Sequence, residues 1–296
     1  MMQKTIDSHF HIWRRADQPW LMGPMVPRIF GPYEPIRRDY PISEFLNDNE
    51  GSGVEKGVYV QTNWAREDFE KEVAFLQQTA DETGWPHAIV GYADMTVDDV
   101  RPQIDRLTKY PLLRGVRMQL HWHEVPEFRF APNARQVVDP VMKKNVARLK
   151  GYGLSFDLQL FPAQMHDGLE LVSENPDTNF ILTHCGMLTG TEPEVIEAWK
   201  EGLRTLASAP NLYAKLSGLG TFVHRNDPAL ISLIYDAAIE ILGSDRLMFG
   251  SNFPIEKLWT SHADLIAAHR AAAAKHSTSD QAKIFWNTAD KVYRPV

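Results

Sequence analysis

The chain has 296 residues, with 31 Lys plus Arg against 38 Asp plus Glu and a formal net charge of −7 with histidine neutral. That balance excludes a broadly basic nucleic-acid coat. The single cysteine, Cys185, excludes an intramolecular disulfide framework, and no apolar run of about 18 residues exists to form a helical membrane span. These features predict a soluble, cytoplasmic protein without a secretory leader, long enough to bury a full core and free to form a homo-oligomer. Its expected partner is a small molecule, with no nucleic acid and no membrane.

The first strand is predicted over residues 5–11. Alternate residues of a strand share a face, so Asp7, His9 and His11 point one way and Ile6, Ser8 and Phe10 the other. Two histidines at this spacing can share one metal ion or one substrate oxygen. The competing reading is a pair of structural core histidines. Residues 12–41 then hold six Pro, two Trp, Phe30, two Tyr and five Arg. So many aromatics argue against disorder, and a loop this long in a compact domain is expected to be functional. We read it as a lid over a site, against the plainer reading of a wrap along the side of the fold.

Strands follow at 57–63 and 88–94, with helices at 67–83 and 97–110. The fourth strand, 113–121, sets Arg117, Gln119 and His121 opposite Val116, Met118 and Leu120. His121 and His123 make a second H-x-H, read either as a substrate contact or as a loop anchor around Trp122. After a helix at 139–152, the strand 154–161 sets Asp157 and Gln159 opposite Phe156, Leu158 and Leu160. A helix at 162–174 leads to a strand at 179–185 carrying His184 at its end, and a helix at 192–207 follows. The strand 211–217 places Tyr213, Lys215 and Ser217 opposite Leu212, Ala214 and Leu216. Lys215 reads as a desolvated lysine, an oxyanion stabiliser or a carboxylate clamp, or else as the lumen partner of Asp157. A helix at 229–242, an eighth strand at 246–252 and two tail helices at 263–275 and 280–286 complete the chain.

Eight strands alternating with helices predict a single α/β domain over 1–296, a distorted (β/α)8 TIM barrel with long loops over its C-terminal face. An open doubly wound sheet also alternates, but no Gly-rich phosphate loop follows the first strand. Polar lumen residues near the C-terminal ends of several strands are where barrels build active sites.

Five motifs fall at those strand ends: IDSHFHIW at 6–13, LLRGVRMQL at 112–120, FILTHCG at 180–186, LYAKLSG at 212–218 and LMFGSNFP at 247–254. On them the chain resembles the amidohydrolase superfamily, in the amidohydrolase-2 branch of sugar lactonases and 2-pyrone-4,6-dicarboxylate lactonase. The resemblance implies a hydrolase that opens a small lactone. It departs at Asn252, where relatives carry the Asp of Gly-Ser-Asp-Trp-Pro as metal ligand or base. Asparagine can orient a water but cannot act as a carboxylate base. Gln159 likewise stands where two-metal members place a ligand. We therefore expect either no required cofactor or at most one weakly held divalent metal, zinc first, on His9, His11 and His184.

Arginine points to the substrate. Arg114 and Arg117 flank the fourth strand, and 12–41 adds Arg14, Arg15, Arg28, Arg37 and Arg38. A guanidinium fork matches a carboxylate bidentately, so this local excess in an acidic chain predicts an anionic ligand. The expected catalytic set is His9, His11, His184, Lys215 and Asn252, and the expected substrate-binding set is Arg114, Arg117 and His121. Rival readings are a lactone isomerase or decarboxylase on the same scaffold, or a silent ligand-binding barrel.

Overall fold

The computed structural model describes residues 3–296. Eight parallel strands pair in chain order: β1 (Thr5–Phe10), β2 (Val54–Val60), β3 (Ala88–Gly91), β4 (Leu113–Arg117), β5 (Ser155–Leu158), β6 (Phe180–Leu182), β7 (Leu212–Leu216) and β8 (Leu247–Phe249). The seam between β8 and β1 is held by Ser8 Oγ donating to the Phe249 carbonyl at 2.6 Å. Just beyond it, Asn252 N–H donates to the His9 carbonyl at 2.7 Å and His11 N–H to the Phe253 carbonyl at 2.8 Å. The result is a nearly closed TIM barrel.

Helices cross between the strands: α1 (Ile42–Asp48), α2 (Phe69–Thr83), α3 (Arg101–Leu107), α4 (Pro140–Val146), α5 (Met165–Ser173), α6 (Pro193–Ala207) and α7 (Pro228–Leu242). Then come α8 (His262–Ala273), α9 (Thr278–Ala282) and α10 (Thr288–Tyr293). The longer ones form where apolar residues recur at helical spacing. In α6, Trp199, Leu203 and Leu206 are fully buried while the facing residues are charged; burial of each such side chain is worth about 1.5–3 kcal/mol. Side-chain caps from Asp139 and Asp227 accept the orphan N–H groups that open α4 and α7. Among the described residues no helix is long and apolar enough to cross a membrane.

Two apolar clusters separate cleanly. One lies between sheet and helices and takes Tyr59, Ile89, Val116, Phe156, Leu158, Phe180, Leu182, Leu212 and Leu216. The other takes the alternate residues Val58, Val60, Ala88, Val90, Ile181, Tyr213 and Met248, closed by Val292 and Tyr293 of α10. The second is the barrel lumen, filled near its N-terminal end and capped there by the C-terminal helix. Ile6 packs in this lumen cluster and Phe10 in the outer one, so the predicted pairing of Ile6 with Phe10 on one face is corrected. The cause is an irregular register of β1 against β2 between Asp7 and Phe10.

Every strand also ends earlier than predicted, and β2 starts earlier as well, at Val54. His11, His121, Gln159, His184 and Asn252 all lie past the last sheet residue. His184 (φ 55°) and Asn252 (φ 56°) adopt left-handed backbone, which a strand cannot contain. His184 and Asn252 are therefore carried on tight turns that leave the sheet, whereas Arg117 ends β4 itself.

Candidate active site

A cavity of about 290 Å³ opens at the C-terminal mouth of the barrel. Its floor is made by His11, Gln61, Arg117, Gln119, Gln159, His184 and Asn252, all from strand ends. One wall comes from the 12–41 segment through Trp13, Trp20 and residues 26–30, and another from the loop after β4 through His121, Glu127, Arg129 and Phe130. The 12–41 segment is tied down at its base, where Trp13 and Tyr40 exchange backbone hydrogen bonds of 2.9 Å. Gln18 Nε2 and Trp20 Nε1 anchor it on Thr62, at 2.7 and 2.9 Å.

The imidazoles are set by the groups behind them. His11 Nδ1–H donates to the Val60 carbonyl at 2.7 Å. A carbonyl only accepts, so Nε2 of a neutral His11 carries a lone pair. Burial and the Arg117 charge push the His11 pKa down to about 3. His184 Nδ1 lies 3.1 Å from the Ser217 carbonyl and 2.9 Å from its hydroxyl, which again leaves Nε2 as an acceptor. Burial, then Arg117, holds His184 well below the usual imidazole range. The ring rests against Gly218 (φ +62°), where a Cβ would come within 2.6 Å of Nδ1, so no larger residue fits. His121 also lines the cavity, with its pKa lowered to about 3 by burial and Arg117.

His9 sits under the floor rather than in the cavity wall. It is fully buried, with its ring 5.0 Å from that of His11 and 4.8 Å from that of His184. Neither of its ring nitrogens has a hydrogen-bond partner. Asp7, beneath it, accepts from Ser251 N–H at 2.8 Å and His9 N–H at 3.1 Å, and burial raises its pKa to about 6.

Arg117 is the buried cation of the floor. Its Nη2 donates to the Gln61 carbonyl at 2.6 Å, while its Nε–H has no partner. Arg28 comes from the 12–41 segment, its guanidinium 5.7 Å from the Trp20 ring centroid, and its Nε–H is likewise unpartnered. Gln61, Gln119 and His121 line the same cavity, and each has a buried polar atom without a partner. Buried polar atoms without partners are few in native folds, and their concentration in residues of one cavity marks it as the candidate site.

Two expected site residues lie elsewhere. Lys215 is fully buried below the cavity, with its Nζ 2.6 Å from Asp157 Oδ2 and 4.8 Å from the Tyr293 ring centroid. Tyr293 OH donates to the other Asp157 oxygen at 2.7 Å. Lys215 is thus the lumen partner of Asp157 and presents nothing to a substrate. Arg114 opens β4 at the opposite end of the barrel, where Nη1 donates to the Pro111 and Leu113 carbonyls at 2.6 and 2.9 Å. It stands three residues from Arg117, and an odd spacing on a strand puts the two on opposite faces. Arg114 therefore cannot share a ligand with Arg117.

The three imidazoles His9, His11 and His184 are neutral, which suits them to metal coordination. Yet among the described residues no group of three or more His, Cys, Asp or Glu is arranged to hold a metal ion. Asn252 adds no anionic oxygen where a carboxylate would close the set. The residues present thus do not form a metal cage, and no chemical step below is routed through an ion.

Thr62, Asn63 and Thr221, which line the cavity, and Glu256 behind it were not singled out from the sequence. Asn63 carries the one signal available, a polar residue in a left-handed turn (φ 65°) just past a strand.

A polar, arginine-bearing mouth on a (β/α)8 barrel is the architecture of a barrel enzyme. The amidohydrolase family model Amidohydro_2 matches residues 6–294, and the chain belongs to that family. An uncharacterized protein, y4mH, from Sinorhizobium fredii is 34% identical over 98% of both chains. An L-fucono-1,5-lactonase from Burkholderia ambifaria is 26% identical, over 87% of this chain and 82% of that one. Among solved structures, an amidohydrolase from Burkholderia multivorans with bound zinc has a TM-score of 0.82 and 26% identity, covering 99% of this chain and 100% of that one.

Proposed function

We propose that this chain is a hydrolase that opens a small, anionic lactone by attack of water on the ring-ester carbonyl. The observation that carries the reading is the pair of arginines, Arg117 and Arg28, that line one cavity of about 290 Å³ at the barrel mouth, each with an unpartnered Nε–H. Membership of the amidohydrolase family and the fuconolactonase relative support the reaction class.

Arg117 lies on the floor beside His11 and is desolvated, so its charge acts at low dielectric. We assign it the carbonyl oxygen, whose developing negative charge it stabilises. Arg28 and His121 hold the anionic part of the ring. His11 and His184 present acceptor Nε2 atoms to the floor, which orients a water or a ring hydroxyl but cannot donate to an oxyanion. Asn252, with its side chain against His11, positions the water. Burial suppresses the basicity of both imidazoles, so neither is a strong proton acceptor in the closed site.

The test is a pH-indicator screen of the purified chain against hexono-1,5-lactones, L-fucono-1,5-lactone among them, and carboxylate-bearing lactones. Acid release on at least one member is the expected result. Saturable binding without acid release would identify a silent binding barrel, and a ring isomer or carbon dioxide as product would identify a different reaction.

A further inference from the structure

The lactonase reading leaves one proton without a destination. The attacking water must lose it, Asn252 cannot take it, and the imidazoles of the floor are held neutral by burial. Behind Asn252, however, lies the carboxyl group of Glu256.

Glu256 sits one turn after Asn252, with its N–H 3.3 Å from the Asn252 carbonyl. It is fully buried. Its Oε2 accepts from Trp259 Nε1 at 2.8 Å. The carboxyl also lies against the side chains of Asn252 and Thr221, and these two line the cavity. Glu256 Oε1 and the Thr221 hydroxyl are both buried, and neither makes a hydrogen bond, so an acceptor and a donor stand side by side unpaired. The backbone makes room for the group: a Cβ on Gly220 would come within 2.9 Å of Glu256 Oε2. Burying a carboxyl with one oxygen unpartnered is costly, so packing alone does not account for a glutamate here.

We propose that Glu256 is the proton acceptor of the site, acting through the Thr221 hydroxyl, with Asn252 holding the water at the cavity end of the path. This inference rests on the lactonase reading. In the step, the Thr221 hydroxyl first turns onto the unpaired Glu256 Oε1, and a water proton then passes to Thr221 Oγ1 as the Thr221 hydroxyl proton passes to Glu256 Oε1. The water oxygen bonds to the carbonyl carbon. The ring C–O bond then breaks, and the leaving oxygen regains a proton from Glu256 by the reverse path. The sum is lactone plus water giving a hydroxy acid. Burial places the Glu256 pKa at about 8, against the pull of Trp259, Asn252 and Thr221. The groups around it are neutral: Asn252, Thr221, Trp259 and the Gly220 backbone.

The experiment measures kcat and KM against pH on the fastest lactone of the screen. Wild-type kcat should rise with pH and level off above about 8, with KM little changed. Glu256→Gln should lose that limb and about 10²-fold or more in kcat. Thr221→Val should do the same, and Thr221→Ser should restore it. Asn252→Asp in the Glu256→Gln background should regain turnover by returning a carboxylate to the floor. An intact limb and kcat in Glu256→Gln or Thr221→Val would overturn the proposal. A second arm needs no turnover. Citrate binding at pH 8, followed by calorimetry in buffers of different protonation enthalpy, should take up protons in the wild type, because an anion in the cavity raises the pKa of a carboxyl facing it. Loss of that uptake in Glu256→Gln supports the coupling, and equal uptake in both chains overturns it. A wild type that turns over no lactone but shows Glu256-dependent uptake would sink the lactonase reading alone.

Discussion

Lys215 Nζ and Asp157 Oδ2 lie 2.6 Å apart inside the barrel, and neither side chain touches solvent. Tyr293 from the C-terminal helix completes the group by donating to the second carboxylate oxygen. A charge pair so enclosed is weak evidence for net stability, but breaking it strands a buried charge.

Removing one partner should therefore cost about 3–5 kcal/mol. Lys215→Met and Asp157→Asn are each expected to lower the unfolding free energy by that amount in urea titrations. The Lys215→Met/Asp157→Leu pair should recover most of it. A lysine that worked on substrate would instead lose turnover while keeping stability.

The two arginines of the fourth strand should behave oppositely. Arg117→Met is expected to cost 10²-fold or more in kcat/KM on any substrate of the site, and Arg117→Lys should not rescue it, because a lysine lacks the fork. Arg114→Met, at the far end of the barrel, should leave KM and kcat unchanged. Steady-state kinetics on the three variants check this, and an Arg114 effect on KM would require a different site.

Stability should carry the signature of Glu256. Its pKa is raised in the folded chain to about 8, from an ordinary 4.5. A raised carboxyl contributes its stability fully below the unfolded value and loses it as pH rises through the folded one. The buried histidines His9, His11 and His184 have lowered pKa values and act only below about 6.5. Between pH 6.5 and 8 the melting temperature should thus fall in the wild type. Glu256→Gln should flatten that slope, and an unchanged slope would place the carboxyl's ionisation elsewhere.

Metal content follows from the donor set. Three neutral imidazoles that form no cage and lack a carboxylate give a divalent ion no tight site, and Asn252 offers no charge to make one. Elemental analysis after dialysis is expected to find at most one ion per chain. Asn252→Asp should raise the affinity for zinc while retaining turnover. Two tightly retained ions would contradict the account.

Much of this was legible in the sequence because a strand's period is two. Parity placed Arg117, Asp157 and Lys215 in the lumen, and the helix-strand alternation gave the barrel. The same rule, applied across the odd interval from Arg114 to Arg117, separates those two, although their shared motif suggests a pair. Parity ran out where the backbone turned. His184 and Asn252 lie in left-handed turns, and β1 is irregular beside β2, so periodicity could not place His9 below the floor and His11 in it. Glu256 was invisible for the same reason. It follows β8 in a short turn, and only the path of the chain folds it back against Asn252 and Thr221.

The central claim is that water opens a ring ester in this cavity. Mass spectrometry of the product formed in 18O-enriched water tests it most directly. The account predicts a hydroxy acid with one label in its new carboxylate, formed by the wild type and not by Arg117→Met. A converted product without label, or equal conversion by Arg117→Met, would contradict it.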